Sequence, residues 1–350
     1  MILNHAVYKE DIAVIADTGT YREKLEGKTV VIMGATGQIG GMLVDSLMQM
    51  NVKYNASIKV IAISRSREKL QKRFSEYLGS SFFQIMVMDV VKGGNLDNVR
   101  ADFLIHAASN THPLEYADDP IGTITTNTIG TYNLLEAVRQ MNGCRFVMLS
   151  SVEIYGENRG DVEAFDEDYC GYIDCNTLRA GYPESKRLAE AMVQAYRKQA
   201  NVDSTIVRLC RIYGPTTEKD DSKALSQFIN RAVHGEDIVL KSEGNQYFSY
   251  MYSRDAVMAV LHVMLYGKMG EAYNAADTDS NITLKDLASA IAELSGQKVI
   301  FDIPSASEKE GYSKATVAIL NARKINSLGW KASVKIGDGL RRTIAALKEV

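Results

Sequence analysis

The sequence predicts an α/β fold: a doubly wound parallel sheet followed by a smaller, mostly helical C-terminal part. Three observations carry that expectation. Short apolar runs alternate with segments of helical periodicity from residue 28 to about residue 212, the pattern of a parallel sheet covered on both faces. A glycine-rich turn joins the first apolar run to the first of these helices. After "YGP" at 213–215 the rhythm changes to helices with fewer, shorter strands.

Taken in order, residues 1–27 read as one or two short helices leading into the first strand, with no chemistry of their own. "KTVVIM" is the first strand, and "QIGGMLVDSLMQM" the amphipathic helix behind the turn. Strands follow at "IKVIAIS" (58–64), "FFQIMVMDV" (82–90), "ADFLIHAAS" (101–109), "RFVMLSS" (145–151) and "STIVRLC" (204–210). Between them lie helices at "REKLQKRFSEYL" (67–78), "TNTIGTYNLLEAVRQM" (126–141) and "RAGYPESKRLAEAMVQAY" (179–196). The expected organisation is an N-terminal extension (1–27), a dinucleotide-binding domain (28–212, with a return segment at about 245–265) and a substrate-binding domain (213–244 and 266–350).

Composition bounds the function. With 46% hydrophobic and 24% charged residues in 350, the chain has the make-up of a globular protein. A net charge of -3 gives no electrostatic case for nucleic acid or an anionic membrane as partner. No apolar run approaches the ~20 residues of a membrane span. Glu10 and Asp11 interrupt the N-terminal apolar stretch, against a secretory signal. The four scattered cysteines fit reduced thiols rather than a disulfide framework or a metal site. The expectation is a soluble, cytoplasmic protein without a metal.

Gly34, Gly37 and Gly40 form G-x-x-G-x-x-G between a strand and a helix. Glycine lets the backbone turn tightly and approach a pyrophosphate seated on the helix N-terminus, here at Gln38 and Ile39. With 26 glycines in 350 residues the spacing arises by chance about 0.14 times per chain, before the strand and helix are required. The end of the second strand reports on the dinucleotide: an acid there holds the ribose hydroxyls of NAD, an arginine accommodates the 2′-phosphate of NADP. The strand ends in Ser64 and Arg65, with Arg67 beyond and no acid. The cofactor is therefore NAD or NADP, with a lean to NADP, although the same cations also fit a solvated helix start.

Tyr182 precedes Lys186 by four residues on one helix, so the two share a face. An ammonium beside a phenol favours the phenolate and would suit Tyr182 to general-base work. The spacing is uninformative by itself, since 18 tyrosines in a chain of this length give about one such pair by chance.

Taken together, the glycine turn, Tyr182 and Lys186 give a chain that resembles the extended short-chain dehydrogenase/reductase family over about residues 28–345. These are NAD(P)-dependent epimerases, dehydratases and decarboxylases of nucleotide sugars built on a Rossmann domain. Further residues carry the likeness: "MDV" at 88–90, "HAAS" at 106–109, "NTIGTYNLLEA" at 127–137, "VRLCRIYGP" at 207–215 and "LGWKASVKIGDGLRRTI" at 328–344. The resemblance implies cofactor contacts from Asp89, Val90, Ala107, Ala108, Ser109 and Asn127. It also implies a homodimer in which the 127–141 helix and the Tyr182 helix form a four-helix bundle.

Within that family, "ASNTHPLEYADDPIGTITTNTIGTYNLL" at 108–135 and "EDYCGYIDCNTLRAGYPESKR" at 167–187 resemble UDP-glucuronate decarboxylases. The likeness implies a nucleotide-sugar substrate contacted by Ser109, Pro113, Tyr116, Arg179 and Arg211. "SSVEIYG" implies Ser151 as the hydroxyl beside the substrate and Glu153 as the carboxylate, while Arg254 stands where a related decarboxylase domain has a catalytic arginine. Two departures matter. Val152 lies where a 4,6-dehydratase carries an acid, which counts against dehydration. Phe248 replaces an arginine that grips the nucleotide diphosphate in many members, and Arg211, in place of an asparagine, is available to supply that charge. The reaction expected is decarboxylation of UDP-glucuronate or a similar sugar acid through a 4-keto intermediate. The alternatives are 4-epimerisation, 4,6-dehydration and, in another class, a non-catalytic dinucleotide sensor. His106 and His112 are expected to be structural imidazoles.

Overall fold

Val30, Val31, Ile32 and Met33 are all buried, Val30 and Ile32 in the core on one face of a sheet and Val31 and Met33 on the other. Such a strand belongs in the middle of a covered parallel sheet, and the computed structural model places it there. The structure describes residues 2–94, 96, 98–109, 118–217, 221–303 and 316–349. Helices α1 (Ala6–Ala16) and α2 (Gly19–Leu25) precede β1 (Thr29–Met33), α3 (Gln38–Tyr54), β2 (Lys59–Ser64), α4 (Arg67–Arg73), β3 (Phe83–Val87) and β4 (Phe103–His106). Then come α5 (Pro120–Gln140), β5 (Arg145–Ser151), α6 (Gly181–Ala200), β6 (Ser204–Leu209) and β7 (Arg211–Tyr213). The chain continues through α7 (Ala224–Val233), β8 (Ile238–Leu240), β9 (Tyr247–Tyr252), α8 (Ser253–Tyr266), β10 (Ala272–Ala275) and β11 (Asn281–Thr283). It ends with α9 (Leu284–Ser295), β12 (Val299–Phe301), β13 (Val317–Ala318), α10 (Arg323–Asn326) and α11 (Ile336–Lys348).

Seven strands form one sheet in the order β10-β6-β5-β4-β1-β2-β3, every pair parallel. The sequence order reverses between β1 and β4, and an open sheet of this kind binds ligands in the crevice beyond the carboxyl ends of the strands at that switch point. Every strand read from the sequence is present. Helix α5 starts earlier than its periodicity indicates, because Asp119 accepts a hydrogen bond from the Gly122 N–H at 2.9 Å and Pro120 occupies the first turn. An Asp-Pro pair is a strong start signal.

The later part of the chain lays the apolar faces of α7 (Leu225, Phe228, Ile229), α9 (Leu287, Ile291) and α11 (Leu340, Ile344) into the core. A small sheet runs β11-β9-β13, with β7 also on β9, and β12 pairs with β8. The return to the large sheet is made by β10, beyond the 245–265 segment expected for it, while β9 within that segment belongs to the small sheet.

Helix α1 is more than a surface appendage. Tyr8, Asp11, Ile12 and Ile15 are buried on it. The Tyr8 hydroxyl donates to Asp45 of α3 at 2.5 Å, and Asp45 also pairs with Arg73. Asp11 accepts from the Tyr252 hydroxyl at 2.6 Å and from Arg342 at 2.9 Å, so one buried acid joins α1 to β9 and α11. Charges so deeply buried persist only when paired and hydrogen-bonded.

Candidate active site

The switch-point crevice opens into a cavity of about 1460 Å³ reaching from the glycine turn to α7, β8 and β9. That exceeds the roughly 300–1,000 Å³ of a pocket for one drug-sized ligand, and leaves room for a dinucleotide and a second molecule.

Its floor is the turn between β1 and α3. Gly34 has φ +85°, and a Cβ there would lie 2.7 Å from Ala107 and Ala108, so only glycine permits this approach of β1 to the end of β4. A Cβ on Gly40 would meet the Gly34 carbonyl oxygen at 2.3 Å, which fixes helix against turn. Gly37 is the N-cap of the 17-residue α3 and offers no side-chain cap. The first N–H groups of the helix are thus left for a ligand, with Gln38 and Ile39 lining the cavity. These features fit the pyrophosphate of a dinucleotide. Gln38 also donates to Thr217 at 3.3 Å, tying the turn to the segment after β7.

At the end expected to take the adenosine, Ser64, Arg65, Asp89 and Val90 line the cavity. Asp89 accepts from the Val91 N–H at 2.9 Å, which holds the loop after β3. Sequence reasoning missed Lys69 and Lys72 of α4, which line the same end and, like Arg65, form no ion pair among the described residues. Their signal was the basic run "REKLQKR" directly after an acid-free strand end.

At the other end Ala107, Ala108, Ser109, Ser151, Glu153, Arg179, Tyr182, Lys186 and Arg211 all line the cavity. Pro113, Tyr116 and His112 lie outside the described residues. Two expected residues are elsewhere. Asn127 is fully buried behind the site, where its Oδ1 accepts from Ser109 at 2.8 Å and its Nδ2 donates to Ser185 at 3.0 Å, so it positions Ser109 and α6 and does not line the cavity. Arg254 is a correction. Its guanidinium lies 3.6 Å from Asp11 and 3.7 Å from Asp255 and donates to Ser333 at 2.9 Å. The acid of α1 and the turn before α11 hold it, and it does not line the cavity where the expected role would need it.

The Tyr182 hydroxyl is within hydrogen-bonding reach of Ser151 and Ser109. Ser151 accepts from the Glu153 N–H at 3.3 Å, so it caps a short turn as well as meeting the phenol. Lys186, buried on the same helix, donates to the Leu149 carbonyl at 2.9 Å, and burial pushes its pKa down to about 8. Burial works against the expectation that this ammonium makes Tyr182 a ready base. Burial pushes the phenol up to about 12, with a smaller upward push from Glu153, against the lowering effect of Ser151 and Ser109. His106 is fully buried, neither ring nitrogen has a hydrogen-bond partner among the described residues, and burial with the nearby Lys186 pushes its pKa down to about 3. It is a neutral imidazole packed under the site.

Glu153 and Arg211 form an ion pair at 3.4 Å, and the Arg211 guanidinium lies over the Phe248 ring at 3.6 Å from its centroid. The charge absent at Phe248 is therefore present directly above it.

The NAD dependent epimerase/dehydratase family model matches residues 30–276, more than half of the chain. UDP-glucuronic acid decarboxylase 6 of Arabidopsis thaliana is 29% identical over 312 residues, covering 89% of this chain and 86% of that protein. UDP-glucuronic acid decarboxylase 1 of Danio rerio is 28% identical over 318 residues, covering 91% and 72%. The crystal structure of UDP-glucuronic acid 4-epimerase from Bacillus cereus, in complex with UDP-glucuronic acid and NAD, superposes with a TM-score of 0.78 at 20% identity, covering 92% of this chain and 99% of that one.

The burial of the phenol makes a definite prediction for pH. A raised pKa leaves the hydroxyl protonated below about 12, so the difference spectrum between wild type and Tyr182→Phe shows no tyrosinate absorption from this residue at pH 9 without cofactor. A tyrosinate signal titrating near pH 7 would contradict the burial argument. By its matched domain and its glycine-cradled crevice, the chain belongs to the NAD-dependent epimerase/dehydratase family.

Proposed function

We propose that this protein is a nucleotide-sugar enzyme that works through a 4-keto intermediate and decarboxylates UDP-glucuronate or a closely similar sugar acid. The observation that carries this reading is the meeting of Tyr182, Ser151 and Glu153 in one cavity with the open N-terminus of α3. The names of the relatives support the sugar acid.

A bound nicotinamide dinucleotide supplies a hydride acceptor that later returns the hydride, and, when oxidised, a positive charge. The glycine turn, Gln38 and Ile39 would hold its pyrophosphate, and Lys186 and Ser109 line the part of the cavity nearer Tyr182. The Tyr182 oxygen takes the proton of the sugar's 4-hydroxyl. A positive charge close by favours the phenolate, and Lys186 shares the helix face of Tyr182. Ser151 donates to the same sugar oxygen and fixes its geometry. With carbon 4 at the ketone level, a carboxylate on carbon 5 is a β-keto acid and leaves as carbon dioxide. The enolate left behind takes a proton at carbon 5, which comes from solvent and which Glu153, beside the phenol, is placed to relay. An epimerase performs only the oxidation and the reduction, with rotation or reprotonation of the ketone between them; Glu153 beside the phenol favours the longer sequence, and Val152 counts against dehydration.

The cations at the adenosine end support NADP as the preferred cofactor, because Arg65, Lys69 and Lys72 surround a strand end without an acid. Ile121, Ile129 and Tyr132 of α5 and Leu188 of α6 are exposed on the α5–α6 pair, which supports a homodimer sealed by these two helices. Sedimentation at micromolar concentration is expected to give a dimer, and a monomer would remove this part of the reading.

The reaction itself is tested by incubating the protein with UDP-glucuronate and either NAD or NADP and weighing the products. The expected result is loss of about 44 mass units, the carbon dioxide of a β-keto acid, faster with NADP. An unchanged mass with a new retention time would make the protein an epimerase. No turnover of any nucleotide sugar, with cofactor still bound, would favour the dinucleotide sensor.

A further inference from the structure

We propose that Arg211 selects the substrate by charge, receiving an oxyanion of the nucleotide sugar beside the reacting carbons; this rests on the nucleotide-sugar reading above. Arg211 stands on β7 opposite Tyr250 of β9, and both line the cavity. Phe248 lies two residues before Tyr250, on the same face of β9, and its ring backs the guanidinium at 3.6 Å. An aromatic face at that distance fixes the plane of the cation and keeps water off one side.

The cation has more donors than partners. A guanidinium carries five N–H groups in a rigid fork. Here Nη2 meets Glu153 at 3.4 Å, longer than the roughly 2.7–2.9 Å of a strong charge-assisted bond. Nη1 is buried with no hydrogen-bond partner among the described residues. About a fifth of the side chain, 21%, is open. A group so held is improved by a ligand that offers two oxygens in a plane, as a carboxylate or a phosphate does.

Position decides which part of the ligand it meets. Tyr182 feels the charge of Glu153, and Glu153 holds Arg211. That succession puts the cation on the sugar side of the cavity, away from Lys69 and Lys72 at the adenosine end. Lys223, another cation lining this half, is engaged by Asp221 at 3.5 Å. Two oxyanions of a nucleotide sugar come within the domain of Arg211: a carboxylate on carbon 5 and the diphosphate. Either is recognised by the same fork.

The test is calorimetric titration of the full chain, with saturating oxidised cofactor, by UDP-glucuronate, UDP-glucose and UDP. Wild type is compared with Arg211→Asn and Arg211→Lys, each checked for its melting temperature and dinucleotide binding. Loss of a charge-assisted contact predicts about 10- to 100-fold weaker UDP-glucuronate binding by Arg211→Asn. If UDP-glucose and UDP keep their affinity, the carboxylate is the partner; if all three weaken together, the diphosphate is. Should Arg211→Asn melt early, Arg211→Lys decides, because it keeps the charge and loses the fork: at least roughly threefold weakening supports the proposal and unchanged affinity overturns it. Equal affinity of a folded Arg211→Asn and wild type for UDP-glucuronate overturns the proposal and leaves the functional reading intact. Wild-type protein that binds none of the three overturns both.

Discussion

The site depends on the burial of one phenol and one ammonium at the carboxyl end of a parallel sheet. Tyr182 and Lys186 occupy the first turns of α6, and both are almost inaccessible to water. Desolvation disfavours the charged form of each, raising the phenol and lowering the ammonium. In the protein alone their pKa values therefore move apart, with a protonated phenol beside an amine that loses its proton above about pH 8. What burial takes from basicity it returns as sensitivity, since any charge that enters a dry site acts at low dielectric.

The rest of the molecule keeps this arrangement in place. Asn127 reaches from α5 to hold both Ser109 and Ser185, so the sheet side and the helix side of the phenol share one hydrogen-bonded support. Arg211, Glu153 and Phe248 form another wall of the cavity, with the guanidinium paired to Glu153 and stacked on the ring. The N-terminal helix lies outside the family-matched segment, yet its two inward polar residues reach α3, β9 and α11. It braces the dinucleotide-binding sheet against the later part of the chain.

Much of this was legible in the sequence because its signals are local. Buried strands are continuous apolar runs, the glycine turn has a fixed spacing, and Tyr182, Lys186, Ser151 and Glu153 lie in short stretches that strand and helix geometry alone carries to one crevice. What failed depends on partners distant in the chain. Arg254 opens α8 as a helix-start arginine would, and nothing near it reveals that Asp11 claims its guanidinium. Asn127 was placed in the right neighbourhood and given the wrong depth, because helix periodicity fixes a face but not which neighbour covers it. The spacing of Tyr182 and Lys186 revealed their shared face; it did not reveal that both groups would be buried away from water. The Arg211–Phe248 exchange was half legible: both departures were visible, and only the pairing of β7 with β9 shows that they touch.

The central claim is that the Tyr182 oxygen carries the proton of the reacting hydroxyl. Single-turnover reduction of bound cofactor by UDP-glucuronate, followed by absorbance in wild type and Tyr182→Phe, tests it most directly. The account predicts a rate at least roughly 10²-fold slower in the variant, the usual worth of a positioned acid–base group, with dinucleotide affinity unchanged. Reduction at the wild-type rate without that hydroxyl would contradict it.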